Sequence, residues 1–153
     1  MGVLRAGRAL IPVHLDRYVN TLGKHLKARF GQHVRKLALD AGFTCPNRDG
    51  TLGRGGCTFC SVPSFNQVDS RIPVGEQLAA RRMELKRASL YIAYFQAYTS
   101  TYAEVAELRS LYAEATSQAD IVGLSIGTRP DCVPDSVLDI LGDYRRRGYE
   151  VWL

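Results

Sequence analysis

The sequence predicts an α/β fold built on a parallel sheet, either an open doubly wound sheet or part of a barrel. Three observations lead there. Short apolar runs rich in β-branched and aromatic residues alternate with amphipathic stretches of helical period. The last three of these runs begin about 30 residues apart, the length of one right-handed β-α-β unit. The third run is continuously apolar apart from Gly123 and Ser125, as a strand covered on both faces is.

The first strand spans Val34 to Asp40 and ends at Ala41-Gly42. A long polar, glycine-rich loop follows, from Thr44 to about Arg71. A helix starts near Pro73, whose fixed φ suits a first helical turn, and Val74, Leu78 and Leu85 share one of its faces. The second strand is Leu90 to Gln96, with Tyr91, Ile92, Tyr94 and Phe95. Thr101-Tyr102-Ala103-Glu104 reads as a capping box ahead of an amphipathic helix marked by Val105, Leu108, Tyr112 and Ala115. The third strand is Ile121 to Ile126, closed by the turn Gly127 to Asp131. Another helix starts near Pro134 or Asp135, with Val137, Ile140, Leu141 and Tyr144 on its inner face and Gly148 as its C-cap. Tyr149 to Leu153 begins a fourth strand. Repeated βα units imply parallel strands with helices over the sheet.

At 153 residues the chain is the size of one domain, and 46% hydrophobic against 23% charged residues is the balance of a folded protein. Residues 1–21 read as a weakly structured N-terminal extension and 22–153 as the core. The last residues, Val151-Trp152-Leu153, lie inside an apolar run with no turn, cap or polar tail. The expectation is the N-terminal portion of a longer parallel β/α protein, truncated after about four strands, with a small four-stranded domain as the alternative. The final strand would then be an exposed apolar edge that favours aggregation.

Lys and Arg outnumber Asp and Glu by 20 to 15, a net +5. That balance permits a phosphate-bearing partner without demanding one, because the basic residues are scattered. The densest cluster, Arg145-Arg146-Arg147, falls at the predicted end of a helix, where it complements the dipole. No stretch approaches the ~20 apolar residues of a membrane span. The N-terminal apolar runs are too broken for a secretory signal, which makes the cytoplasm the default location. In that reducing compartment, clustered cysteines more often bind metal or do chemistry than form disulfides.

Three of the four cysteines, Cys45, Cys57 and Cys60, fall in the loop after the first strand at the spacing Cys-x11-Cys-x2-Cys. Thiolates two residues apart reach one metal centre, and a third joins by loop closure. Gly50, Gly53, Gly55 and Gly56 supply the backbone freedom this needs, and amides in such a loop hydrogen-bond to cluster sulfurs. Three thiolates are one short of a closed zinc site and suit a cubane iron–sulfur cluster with one open iron, which takes an exogenous ligand. Spacing alone leaves three readings: an iron–sulfur cluster, a zinc site completed by Cys132 or one of His14, His25 and His33, and buried or reactive thiols. Cys132 reads as a small apolar filler, and the three isolated histidines as surface residues. A loop at the carboxyl end of a strand is where parallel β/α proteins carry their sites.

Four stretches carry a family resemblance: Leu37 to Thr51 (LALDAGFTCPNRDGT), Gly55 to Cys60 (GGCTFC), Tyr94 to Thr99 (YFQAYT) and Gly127 to Cys132 (GTRPDC). They resemble the radical S-adenosylmethionine (radical SAM) proteins of the YhcC-like group, relatives of the elongator catalytic subunit. The resemblance runs from about Leu22 to Leu153, and the family continues past that point. It implies a partial TIM-type β/α barrel holding a [4Fe-4S] cluster through Cys45, Cys57 and Cys60. The open iron would take the amino and carboxylate groups of S-adenosylmethionine (SAM). An electron from the reduced cluster would break the carbon–sulfur bond, and a 5′-deoxyadenosyl radical would abstract hydrogen from a substrate. An electron donor such as a flavodoxin or ferredoxin is implied, and RNA is a substrate class the resemblance admits. This portion alone is expected to be inactive.

The same resemblance assigns roles. Phe59, between the last two cysteines, would lie near the adenine of SAM. Gln96, Ala97, Tyr98 and Thr99 occupy the segment that in many radical SAM enzymes is of Gly-Gly-Glu type and holds the SAM amino group. Thr128 is a further expected SAM contact. Elongator relatives carry a Glu before Thr-Arg-Pro-Asp. Here that position is Gly127, so the carboxylate is missing, and Arg129 and Asp131 are expected to pair or to position the loop. Two readings from other classes stand beside this one. A zinc-stabilised, mildly basic binding module, for instance for RNA, needs a fourth ligand and a concentrated basic face. A cluster protein that only transfers electrons favours four cysteine ligands.

Overall fold

The structure, a computed structural model, describes residues 17–61, 69–85 and 88–153. The N-terminal extension expected over 1–21 therefore lies mostly outside the described residues, and so does His14. The first element is a helix that the sequence reading does not include, α1 (Leu22–Phe30). Thr21 caps it by accepting the Lys24 N–H at 3.3 Å, and Gly31 ends it at φ 72°, donating its N–H to the Lys27 carbonyl.

Then follow β1 (Val34–Leu39), α2 (Pro46–Asp49), α3 (Val74–Glu84), β2 (Leu90–Phe95), α4 (Val105–Thr116), β3 (Ile121–Ile126), a 3₁₀ turn (Pro130–Cys132), α5 (Asp135–Arg146) and β4 (Glu150–Trp152). All four strands are parallel and lie in the order β1-β2-β3-β4. The expected parallel α/β architecture is present, with β4 pairing β3 at the sheet's edge. None of the described helices is long and apolar enough to cross a membrane.

Register follows side-chain alternation. Leu37, Ala93, Leu124 and Val151 form one row across the sheet, and Leu39, Phe95 and Ile126 the next. Onto these rows pack Val74 and Leu78 of α3, Leu108, Tyr112 and Ala115 of α4, and Val137, Ile140, Leu141 and Tyr144 of α5. The inner faces read from helical periodicity are thus the buried ones, except that Val105 and Leu85 are only half-buried. The Phe95 and Tyr112 rings meet edge to face, 5.2 Å between centroids. Burial keeps the Tyr112 hydroxyl neutral by pushing its pKa up, and it donates to the Ser100 carbonyl at 2.6 Å. The core is thereby tied to the loop above it.

The opposite face carries the rows Lys36, Ile92, Gly123, Glu150 and Ala38, Tyr94, Ser125, Trp152. Helix α1 crosses this face from β1 to β4. Glu150 is buried there between two α1 side chains: His25 Nε2 lies 3.0 Å from its Oε1 and Arg29 Nη1 2.7 Å from its Oε2. Arg29 also donates to the Gly148 carbonyl at 2.8 Å. His25 is therefore a partner of a buried acid, where the sequence suggests an isolated surface residue. No positional pattern links residues 25 and 150; only the parallel sheet brings them together. Above α1, Lys36 Nζ donates to Ser125 Oγ at 3.1 Å and sits 4.6 Å from the centre of the Tyr94 ring.

Two local expectations are corrected, while α3 starts where the sequence places it. Pro73 precedes α3 as its N-cap, and Val74 is the first helical residue. The long loop after β1 contains one helical turn, α2. The capping box at Thr101–Glu104 does not form: α4 starts at Val105 with Glu104 as its N-cap, because the Thr101 hydroxyl is committed elsewhere. At the far end of α5 the expected glycine stop is present. Gly148 takes φ 92°, its N–H donates to Arg145 and that of Tyr149 to Tyr144, a Schellman arrangement.

Gly123 marks the tightest approach in the sheet. A Cβ there would lie 2.5 Å from the Glu150 carbonyl oxygen and 2.9 Å from the Glu150 Cβ. The close pairing of β3 with β4 requires glycine at this site. Gly123→Ala is expected to destabilise the chain by about 3 kcal/mol, read as a lowered urea midpoint. Arg29→Met, which leaves Glu150 with His25 alone, is expected to cost about 2 kcal/mol, discounted because Arg29 is partly exposed. An unchanged midpoint for either variant would show that the β3–β4–α1 corner is not packed as described.

Candidate functional site

The candidate site lies at the carboxyl ends of β1, β2 and β3. Its first loop leaves β1 through a buried clamp. The Asp40 N–H donates to Gln77 Oε1 at 2.9 Å, and Gln77 Nε2 donates to the Asp40 carbonyl at 2.7 Å. A glutamine on α3 thus satisfies both backbone groups where the ladder stops. Asp40 Oδ1 accepts the Gly42 N–H at 2.9 Å, and Gly42 turns the chain at φ 76°.

Beyond Phe43, which is buried, Cys45 caps α2, its carbonyl accepting the Arg48 and Asp49 N–H groups. Asn47 stitches the loop together. Its carbonyl accepts the Gly56 N–H at 2.9 Å, and its Nδ2 donates to Cys57 Sγ at 3.2 Å. The Cys60 N–H closes on the Cys57 carbonyl at 3.0 Å, so Cys57 to Cys60 form one turn. Cys45, Cys57 and Cys60 are half-buried free thiols. They share one loop above β1, but among the described residues no three Cys, His, Asp or Glu side chains converge as around a metal ion. The expected ligands are gathered in sequence and elevation without being drawn to one point. As a donor set they fit an iron–sulfur cluster in type and number: three soft thiols, with an amide N–H already directed at one sulfur. Phe59, in this turn, is 88% exposed among the described residues.

The second loop follows β2. Gln96 is half-buried, and its N–H donates to the Leu39 carbonyl. Ala97 is buried. Tyr98 is the single non-glycine residue with positive φ among those described, at 58°, and Arg48 lies over its ring at 5.0 Å. Thr99 is buried and donates its N–H to the Thr44 carbonyl at 3.1 Å, tying the second loop to the first. The Ser100 N–H donates to the Gly127 carbonyl at 2.9 Å, tying it to the third.

Thr101, which the sequence suggests as a cap, is the centre of this network. It is buried, and its hydroxyl contacts both the Cys132 carbonyl and Thr128 Oγ1 at 2.5 Å. A carbonyl only accepts, so the Thr101 proton goes to Cys132, and Thr128 must donate to Thr101. The Thr128 hydroxyl therefore faces any further partner as an acceptor. At Gly127, where the resemblance leads one to expect a glutamate, a Cβ would lie 3.3 Å from the Phe95 carbonyl oxygen, a tight approach. Arg129 and Asp131 pair as expected, in a two-bond fork of 2.9 and 2.7 Å that holds the Asp131 carboxyl below its ordinary range. Cys132 is buried, and burial pushes its thiol pKa up. Between the first loop and the start of α4 lies an open groove of about 900 Å³, lined by Thr44, Pro46, Leu52, Tyr102, Glu104 and Cys132 among others. Neither the groove nor the Gln77 clamp has a local sequence signature, since each joins segments far apart in the chain.

Comparison with known proteins finds close relatives. The Escherichia coli protein YhcC is 58% identical over 142 residues, which are 92% of this chain and 46% of that protein. The Bacillus subtilis protein YtqA is 44% identical over 143 residues, 90% of this chain and 44% of its own length. A Methanocaldococcus jannaschii protein, MJ0486, is 34% identical over 137 residues, 86% and 41% of the two chains. The chain thus spans less than half the length of the curated relatives it matches. No protein-family profile matches it, and no solved structure does.

The network yields two expected outcomes. Thr101→Val removes a buried donor and leaves the Cys132 carbonyl unpaired, which should cost about 2 kcal/mol in chemical denaturation, while Thr101→Ser should cost far less. Asp131, followed by NMR, should titrate below the ~3.9 of a free aspartate, and Arg129→Gln should return it toward that value. The sign is fixed by linkage. The pair's contribution is complete above the unfolded pKa and is lost as pH falls through the depressed folded one.

Proposed function

We propose that the chain carries the cluster-binding portion of a radical SAM enzyme, with Cys45, Cys57 and Cys60 as ligands of a [4Fe-4S] cluster and SAM beside its open iron. The observation that carries this reading is the set of three thiols confined to one glycine-rich loop at the carboxyl end of the first strand. The strand order supports the barrel form of the fold. Strands run in sequence and α3, α4 and α5 all pack on one face, as in a singly wound β/α barrel; a doubly wound sheet would reverse at a switch point.

When bound, the reduced cluster would supply the electron that breaks the carbon–sulfur bond of SAM and so initiates hydrogen abstraction from a substrate. The chain's own residues would bind and orient. Asn47 Nδ2 donates to Cys57 Sγ, the kind of amide–sulfur contact that braces a cluster ligand. Tyr98, at positive φ, turns the backbone between Gln96 and Thr99, the segment assigned to the SAM amino group, and carbonyl oxygens there would serve in place of a carboxylate. The Thr128 hydroxyl, its proton given to Thr101, would accept from a ligand N–H or O–H. Phe59, exposed at the tip, offers a flat apolar face to an adenine ring. The electron donor, of flavodoxin or ferredoxin type, and the substrate belong to the whole protein.

A second reading has one observation in its favour. The Cys132 thiol pKa is raised chiefly by burial and, in small part, by the charge of Cys45, and a fourth thiol would complete a zinc site. Anaerobic reconstitution with iron and sulfide separates the two. Replacing Cys45, Cys57 or Cys60 with Ala should each abolish iron binding, and Cys132→Ala should leave it within twofold of wild type. In the full-length protein, SAM should change the electron paramagnetic resonance signal of the reduced cluster. Equal iron loss in Cys132→Ala, or a spectrum indifferent to SAM, would overturn the assignment.

A further inference from the structure

The proposed function draws on the loops at the carboxyl edge and gives no role to the sheet face above α1. Lys36 lies on that face. Its backbone sits on β1 in the row of Ile92, Gly123 and Glu150. Its ammonium reaches one row higher, toward the carboxyl ends of the strands, and donates to Ser125 Oγ on β3 at 3.1 Å. It crosses β2 on the way, 4.6 Å from the centre of the Tyr94 ring. A buried hydroxyl and a ring face thus hold one positive charge at a defined point. Among the described residues no carboxylate pairs with this ammonium. Arg29, Arg82 and Arg129, by contrast, each hold one. The acid of Lys36's own row, Glu150, is taken by His25 and Arg29. An ammonium carries three N–H donors, and Ser125 uses one. Because Ser125 Oγ accepts in that bond, its own proton is available to a second acceptor. Charge and several donors at one point, with no acid among them, select an oxyanion. By strand alternation the next position up this face of β2 is Gln96, in the segment proposed to hold the SAM amino group.

We propose that Lys36 and Ser125 form a binding site for an oxyanion, the carboxylate or phosphate at one end of a small-molecule substrate. The ammonium supplies the charge and its two remaining N–H groups, and the Ser125 hydroxyl supplies a third donor. Tyr94 keeps the ammonium over the sheet, so little side-chain freedom is lost when the anion arrives. The oxyanion site itself is independent of the cluster reading. Its role as the substrate's anchor rests on that reading: a molecule held by its anionic end at Ser125 directs its other end toward the loops at the carboxyl edge.

The test is the rate of lysine acetylation in the metal-free full-length protein, read site by site by mass spectrometry. Inorganic phosphate, acetate and chloride are compared at constant ionic strength. Phosphate or acetate should slow acetylation of Lys36 about fivefold or more, while Lys24 and Lys27, exposed on α1, change by less than about twofold. The anion that protects at the lower concentration identifies the substrate's end group as phosphate or carboxylate. Ser125→Ala should raise the half-protecting concentration about tenfold. Equal protection of all three lysines, protection by chloride as strong as by the oxyanions, no protection at Lys36, or a folded Ser125→Ala with an unchanged concentration would overturn the proposal. The wild-type comparison stands whether or not the variant folds. In the iron-loaded protein, SAM alone should leave Lys36 reactive; protection by SAM would make this a cofactor contact and overturn the substrate assignment. Protection by phosphate or acetate in a protein that never takes up iron keeps the oxyanion site and removes the cluster reading. Iron and SAM bound with Lys36 indifferent to both anions does the reverse.

Discussion

Thr99, Ser100 and Thr101 are three consecutive polar residues buried where β2 gives way to α4, and their burial commits each of them to a neighbouring loop. Thr99 holds the cysteine loop through Thr44, Ser100 holds the β3 turn through Gly127, and Thr101 holds Cys132. Tyr112 anchors the segment from below by donating to the Ser100 carbonyl. Any of these groups left unpaired in that environment would cost about 1–3 kcal/mol, so the three loops cannot move independently. This coupling gives the upper edge of the sheet one geometry and allows residues from three loops to serve one site.

The two ends of the sheet are built by different means. At the amino end, α1 seals one face with a buried acid held by a histidine and an arginine, and Gly123 lets Glu150 lie against β3. At the carboxyl end the described residues form no such seal. The cysteine loop is held mainly by its own backbone bonds and by Asn47, with Phe59 and the rims of the turn in solvent. Packing is thus densest below, and above it the strands fix the root of the cysteine loop while its tip lies away from the core.

Chemistry at this edge is governed by who owns each proton. Thr101 gives its hydrogen to a carbonyl, which forces Thr128 to donate to Thr101 and leaves Thr128 an acceptor toward the outside. Arg129 is forked to Asp131, so its charge is held in place at the β3 turn. Cys132 is kept protonated by burial, whereas the loop cysteines are more open. Cys132 is thus the most shielded of the four thiols, and the three loop cysteines are the more accessible.

Much of this fold was legible from local pattern. The period of Leu108, Tyr112 and Ala115, the run from Ile121 to Ile126, and the glycine at 148 each express a requirement met within one element, so the residues themselves state it. The cysteine spacing was legible for the same reason, as was the Arg129–Asp131 pair two residues apart. What the sequence left open turns on contacts between segments far apart. Helix α1 fully buries only Leu26, and it is tied to the sheet by a carboxylate on β4. The Thr101 stretch carries a sound capping pattern, but in the folded chain a stronger acceptor, the Cys132 carbonyl, takes its hydroxyl. Gln77 looks like an ordinary surface glutamine until β1 needs its last two backbone groups satisfied. Alternation, period and spacing by themselves determined a parallel α/β chain with a thiol-bearing loop. Which polar groups are buried, and hence which must find partners across the sheet, was decided only when the strands came into register.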